Sequence, residues 1–374
     1  MKKLKRKYER HHCLESINSM YVELGNDGYN IKPCCLYKNE HNKQSVDTIQ
    51  ELLDNPVINN IREKFKGNWR KQSECQICIQ KEKLDLPTKR KRSLQSGYNG
   101  YIVNWDLRPG NTCNLKCAMC NYGNSSKWAE DKDIEEKYNS HGYKYSTKTT
   151  REDLDWDWIY SQVIDKAESI YFAGGEPFYM KNVYKFLVEL SKNEWNCKNT
   201  RIKIQTNGVS NTPKLMNVLA KFKKRNFTIS VDGWGEVNEL IRFPTNHNTF
   251  ITMTDEINSL CDTRDGFGFS ITVQAMNLPN IDTLVNNLKD RWGDAPNFSI
   301  DMHNLSWPNF LQINALKPHV IDNVMANTSI EEVKQYCNQY EYNSVLNGVM
   351  QNYLLDLDAK RGTDSKRIMG WCFE

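Results

Sequence analysis

The 374-residue chain contains no run of 18 apolar residues, so its sequence offers no membrane-spanning helix. The basic residues Lys2, Lys3, Lys5, Arg6, Lys7 and Arg10 are followed by no apolar stretch, which does not suit a secretory signal. They read as a solvated terminus, with contact to nucleic acid or an acidic peptide as the sharper alternative. Charge of neither sign dominates: 50 Lys and Arg face 46 Asp and Glu, and a net charge of +4 demands no acidic partner. No recognised RNA-binding module is present. Twelve cysteines without a signal peptide argue against a disulfide framework and for metal or redox use. The expected location is a reducing cytoplasm.

One stretch organises the rest. Cys113, Cys117 and Cys120 are spaced C-x3-C-x2-C, and no fourth cysteine follows nearby. The spacing is neither that of a zinc ribbon nor that of a zinc finger. Three thiolates suit one face of a [4Fe–4S] cluster, which normally takes four, and leave one iron open to a substrate or cofactor. About fifty residues on comes Gly174-Gly175-Glu176-Pro177. Both motifs end strand-like runs.

The pair of motifs resembles the radical S-adenosylmethionine (SAM) superfamily. The resemblance implies that Cys113, Cys117 and Cys120 hold the cluster and that the open iron chelates the amino and carboxylate groups of SAM. It implies that Gly174, Gly175, Glu176 and Pro177 line the methionine moiety, and that Ser230 and Arg242 contact ribose and carboxylate. The residue before the last cysteine is usually aromatic and packs near the adenine. Here it is Met119, a departure that a thioether can tolerate, and Tyr122 is expected to share the task. Thr206 and Asn207 are further candidates at the strand ends. Ordinary strand-end capping is the alternative for them and for Ser230.

The implied fold is α/β, a partial (β/α)6 TIM-type barrel. Six strand–helix units support it, with strands at residues 101–108, 169–173, 201–205, 227–231, 269–273 and 298–301. Strand two, Ser169 to Ala173, reads as buried on both faces. Arg151 to Glu168 reads as the first barrel helix and residues 183–193 as the second. Function belongs on the C-terminal rim of such a sheet.

Before the barrel, residues 21–31 read as a hairpin and Ser45 to Phe65 as two helices divided by Pro56, ending near Gly67. Cys75 and Cys78 follow in a loop. Cys13, Cys34, Cys75 and Cys78 are four candidate ligands, while Cys35 reads as a packed thiol. Four cysteines with one C-x2-C suit structural zinc as well as iron–sulfur. The order of cysteine, hairpin cysteine, helix and C-x2-C resembles the SPASM or twitch domain. That resemblance implies a second Fe–S cluster, here in a small cysteine-rich α+β domain preceding the barrel. The expected domains are 1–80 (twitch-like), 81–97 (a basic, solvated linker), 98–303 (barrel) and 304–374 (helical extension). In the last, Val333, Tyr336, Cys337 and Tyr340 form one apolar stripe and Val345, Val349, Tyr353 and Leu354 another. Asp358-x2-Arg361-Gly362 has no evident mechanism, and Cys372 reads as a bystander thiol with a ligand role as the alternative.

The resemblance implies an enzyme that reductively cleaves SAM to a 5′-deoxyadenosyl radical and abstracts hydrogen from a substrate. A flavodoxin- or ferredoxin-type reductase is the expected electron donor. Relatives with SPASM or twitch domains often act on peptide or protein side chains, so a peptide or protein is the expected substrate. RNA or a small metabolite is one alternative, and a non-catalytic Fe–S redox sensor another.

Overall fold

The computed structural model describes residues 13–25, 28–34, 37, 59, 60, 63, 75–83, 88–93, 102–138 and 154–374. The basic residues 2–10, Cys35, Gly67, most of the helices expected over 45–65, and Arg151 lie outside the described residues.

A short helix, α1 (Leu14–Asn18), leads into the expected hairpin, β1 (Ser19–Gly25) and β2 (Gly28–Lys32). Helices α2 (Gln76–Lys83) and α3 (Lys89–Ser93) follow. The barrel strands are β3 (Asn104–Arg108), β4 (Ser169–Phe172), β5 (Arg201–Thr206), β6 (Lys224–Ser230), β7 (Gly266–Val273) and β8 (Ser299–Asn304). Between them lie α4 (Lys132–Tyr138), α5 (Trp156–Val163), α6 (Lys181–Leu190), α7 (Glu194–Asn199), α8 (Pro213–Leu219), α9 (Glu236–Ile241), α10 (His247–Ser259) and α11 (Ile281–Trp292). The chain ends in α12 (Pro318–Asn327), α13 (Glu331–Cys337), α14 (Ser344–Arg361) and α15 (Ser365–Ile368).

All eight strands form one sheet in the order β2-β1-β3-β4-β5-β6-β7-β8. Strands β3 to β8 are mutually parallel, as in a partial barrel. The hairpin continues this sheet: β1 runs parallel to β3, with Tyr21 opposite Asp106 and Glu23 opposite Arg108.

Period-two patterning explains the strands. Trp105 and Leu107 on β3, Ile202 and Ile204 on β5, and Phe227 and Ile229 on β6 are buried, with polar residues between them. The apolar face packs against helices, for example Phe172 against Phe186 of α6 at 6.0 Å. The other face is polar. Strand β4 is buried on both faces except at Tyr171, which is half-buried and shares a rung with Tyr21, Asp106 and Lys203. Strands β6 and β7 start three residues earlier than expected because a buried ion pair joins their entrances, Arg225 to Asp265 at 2.7 Å. Helix α5 stops at Val163, short of the expected Glu168. Asp165 adopts a left-handed backbone (φ 57°), and its amide and carboxylate are held by Asn196 and Asn193.

In the helical extension, the buried face of α14 is Asn347, Met350, Tyr353, Leu354 and Leu357, while Val345 is 70% exposed. The expected stripe through Val345 is corrected accordingly: Val345 lies in the first turn, where Asn343 caps the helix, and is exposed there.

Candidate active site

Residues 113–120 form an irregular loop between β3 and the segment 121–131. A loop with so little internal hydrogen bonding needs partners from elsewhere. The amides of Lys116 and Ala118 donate to the carbonyls of Phe243 and Ile241, both at 2.7 Å. The Trp128 indole donates to the Cys117 carbonyl (3.1 Å), the Tyr353 hydroxyl to that of Ala118 (2.6 Å), and the Ser125 hydroxyl to that of Leu115.

The turn after β4 locks against this loop. Gly175 has φ 53°, and a Cβ there would lie 2.4 Å from the Thr112 carbonyl oxygen. Only glycine permits that approach. The Glu176 amide donates to the same carbonyl at 2.8 Å. The Glu176 side chain is 1% exposed and accepts three hydrogen bonds: from the Asn207 amide (2.6 Å), the Thr206 hydroxyl (2.8 Å) and the Phe178 amide (2.9 Å). Burial pushes its carboxyl up to about 7 although those three donors favour the anion. Asn207 in turn donates to the Asn114 side chain at 2.8 Å. Glu176, Thr206 and Asn207 thus tie the end of β5 to both glycine turn and cysteine loop.

These elements enclose one cavity of about 180 Å³. Cys113, Cys117, Cys120, Gly174, Gly175, Glu176, Thr206, Asn207, Ser230 and Arg242 all line it. Met119, Tyr122 and Pro177 do not. Met119 and Tyr122 pack against the core, and the Tyr122 backbone joins Glu135 and Asn111. Arg108 and Gln205, which motif reading missed, also line the cavity. The available signal was their position as polar residues at or near the C-terminal ends of β3 and β5. Gln205 bridges Tyr171 and Ser230. Arg108 is held by Asp106 at 2.8 Å and lies over the rings of Tyr21 (5.5 Å) and Tyr171 (5.2 Å).

The residues fit a thiolate-held cluster with an anionic ligand beside it. Three soft sulfur donors face one space. Burial raises all three thiols, Cys113 to about 12, while the Arg242 charge opposes the rise at Cys117. Arg242 Nε lies 2.8 Å from Asp232 Oδ2, but the two are not aligned as a hydrogen bond, and both atoms are buried without another partner among the described residues. Burial works against the Arg242 charge, yet Asp232 and Cys117 hold its pKa above the ordinary value.

A second, smaller cavity of about 20 Å³ is lined by Cys13, Cys34, Cys75 and Cys78, together with Tyr37 and Arg90. Cys75 and Cys78 are in the opening turns of a helix, not in a loop. Spacing i, i+3 puts both on one helix face. Burial pushes Cys13 up to about 11 and raises Cys78. Arg90, from the stretch expected to be a solvated linker, is 4% exposed and pairs with Glu82 at 2.5 Å. Among the described residues, no three Cys, His, Asp or Glu side chains converge closely enough to hold a single metal ion. Cys372 is buried with its sulfur 3.7 Å from the Ala275 carbonyl and lines neither cavity. No helix among the described residues is long and apolar enough to cross a membrane.

No curated protein matches the chain. Among solved structures, it is similar to histidine-tagged anSMEcpe with bound AdoMet: 18% identity, TM-score 0.40, over 59% of this chain and 57% of that one. It is also similar to native anSMEcpe with bound AdoMet (17%, 0.40, over 67% and 65%). A third is Streptococcus suis SuiB bound to precursor peptide SuiA (13%, 0.35, over 95% and 71%). The chain thus spans less than two thirds of the length of the first two. The family description Radical SAM superfamily matches residues 107–302, more than half of the chain and the whole run from β3 into β8. The protein is a member of the radical SAM superfamily.

Proposed function

We propose that this radical SAM enzyme modifies a peptide or protein side chain, with Cys113, Cys117 and Cys120 holding its [4Fe–4S] cluster. The observation that carries the reading is the convergence on one cavity of three thiols, the Gly174–Glu176 turn, Ser230 and Arg242. Together, cluster and SAM supply one-electron cleavage of SAM and abstraction of an unactivated hydrogen.

The chain's own residues bind and orient. Gly174 and Gly175 let the backbone approach the methionine end of SAM, while Glu176 holds the β5 end in register with the cysteine loop. Ser230 and Arg242 are assigned to ribose and carboxylate. A substrate is assigned to the polar inner face, where Tyr21, Asp106, Arg108, Tyr171 and Lys203 present hydrogen-bonding groups. Arg108, stacked between two tyrosines, is a fixed fork suited to a carboxylate or a main-chain carbonyl. The hairpin of the N-terminal region brings Tyr21 to this face, which supports a chamber shared by the N-terminal module and the barrel.

Cys13, Cys34, Cys75 and Cys78 are assigned to a second Fe–S cluster that exchanges electrons with the substrate. Four thiols that line one small space could hold either a cluster or a tetrahedral zinc, and the order of cysteine, hairpin cysteine, helix and C-x2-C is what supports the cluster. A flavodoxin- or ferredoxin-type protein is the assigned electron donor.

The test is anaerobic iron and sulfide content of wild type and of a Cys113→Ala/Cys117→Ala/Cys120→Ala variant, with deoxyadenosine formation measured in parallel. Roughly eight irons in wild type and roughly four in the variant, at about four per cubane, support both sites. Zinc in place of iron in the variant would make the N-terminal site structural. Wild type that forms no deoxyadenosine under strong reduction, with its clusters intact, would sink the catalytic reading. An RNA substrate would announce itself by tight binding that falls steeply with salt.

A further inference from the structure

The motif Asp358-x2-Arg361-Gly362, far from the cysteine loop in sequence, lies behind it in space. Gly362 ends α14 in a left-handed conformation (φ 69°), and the Asp358 carboxylate accepts from the Ser365 amide at 2.8 Å, which fixes the turn. Arg361 is thereby presented inward. Its Nε meets Asp131 Oδ2 at 2.8 Å, and the two side chains are 2% and 0% exposed. The other oxygen of Asp131 takes Lys116 Nζ at 2.8 Å, and Lys116 is the residue immediately before Cys117. The guanidinium also lies over Trp128 (5.0 Å) and Phe243 (5.3 Å), the two residues that bond the backbone of Cys117 and Lys116. One terminal nitrogen of Arg361 is buried with no hydrogen-bond partner among the described residues.

Within this buried group, two cations share one carboxylate. Glu130 also reaches Lys116 at 3.2 Å, but it is half exposed and is shared with Lys127. An uncompensated positive charge in a buried place is costly unless a negative charge stands opposite. The loop it backs carries three thiols that become thiolates when a cluster is bound.

We infer that Arg361 is a positioning residue for the radical SAM cluster: its buried, undercompensated charge behind Cys117 favours the thiolate-bound loop and raises the cluster's reduction potential. The inference rests on the assignment of Cys113, Cys117 and Cys120 as cluster ligands. The direction follows from electrostatics, since a nearby positive charge favours the state with the extra electron. The latch that carries Arg361 is long: Tyr353 holds the Ala118 carbonyl, Lys137 pairs with Asp356 at 2.6 Å, and Lys360 pairs with Asp133 at 2.9 Å.

The experiment is a redox titration, followed by electron paramagnetic resonance, of wild type, Arg361→Gln and Asp131→Asn, each with its iron content measured. Arg361→Gln should move the midpoint of the Cys113/Cys117/Cys120 cluster to lower potential, and Asp131→Asn should move it higher. General loosening of the loop would move both the same way, and that outcome, or no shift in either, overturns the inference. If Arg361→Gln fails to retain iron, Arg361→Lys decides. Retention at the wild-type midpoint supports a role for the charge, and loss of iron from the lysine variant as well overturns it. A wild-type chain that takes up no iron at the three cysteines overturns the ligand assignment itself, which the iron assay shows separately.

Discussion

The two cysteine sites differ in how they are built. Cys113, Cys117 and Cys120 come from one eight-residue loop beside a cavity of about 180 Å³. Cys13, Cys34, Cys75 and Cys78 come from a helix cap, the end of a hairpin and a helix start, around a cavity of about 20 Å³. Three thiols with room beside them can admit a ligand, whereas four around a small space close the coordination. The first loop owes its shape to distant partners such as Phe243, Trp128 and Tyr353. Beside the second, Arg90 is buried against Glu82 and also lines the cavity.

The largest expected effect comes from Cys75→Ala. Closing the second site is then impossible, and product formation should stop while SAM cleavage persists in part. A variant that turns over normally would erase the distinction between the sites. Next is Gly175→Ala, which forces a Cβ to 2.4 Å from the Thr112 oxygen at a positive φ. Strain and overpacking should together cost about 2–5 kcal/mol. Denaturant unfolding of the apo-protein should show it, along with loss of iron from the first site only. Loss of iron from both would mean that the two sites fold as one unit.

The Glu176 carboxyl gives a pH test. Its ordinary value is 4.5 and burial raises it to about 7. Below 4.5 both folded and unfolded states are protonated. As pH rises towards 7 the unfolded chain ionises first, so the apo-protein should lose stability across that window and level off above it. The difference between wild type and Glu176→Gln isolates this slope. A parallel pair of curves would show that the carboxyl is ionised throughout in the fold. The smallest effect is that of Tyr353→Phe, which removes one hydrogen bond to the cysteine loop and should cost about 1 kcal/mol. The second site should be untouched.

The glycine turn, the three-cysteine loop and six parallel strands were readable because each depends on neighbouring residues: a spacing, a period of two, a glycine at a turn. The hairpin was readable too, but its place beside β3 was not, since strand pairing between residues 19–23 and 104–108 leaves no local mark. Arg90 reads as one more cation in a basic run, and only its pairing with Glu82 buries it. Polar residues at strand ends are common, so Arg108 and Gln205 gain meaning only when a cavity gathers them. The Asp358-x2-Arg361-Gly362 motif had no reading until α14 docked on the cysteine loop.

The sequence by itself determined the spacing of the cysteines, the backbone freedom of Gly174 and Gly175, and the α/β plan, because these are written in residue type and short spacing. Only the tertiary structure decided which charges are buried, which polar groups share the inner face, and that Asp131 serves both Lys116 and Arg361. Burial and electrostatic pairing depend on what lies a few ångströms away across chain segments hundreds of residues apart, and no local pattern encodes that distance.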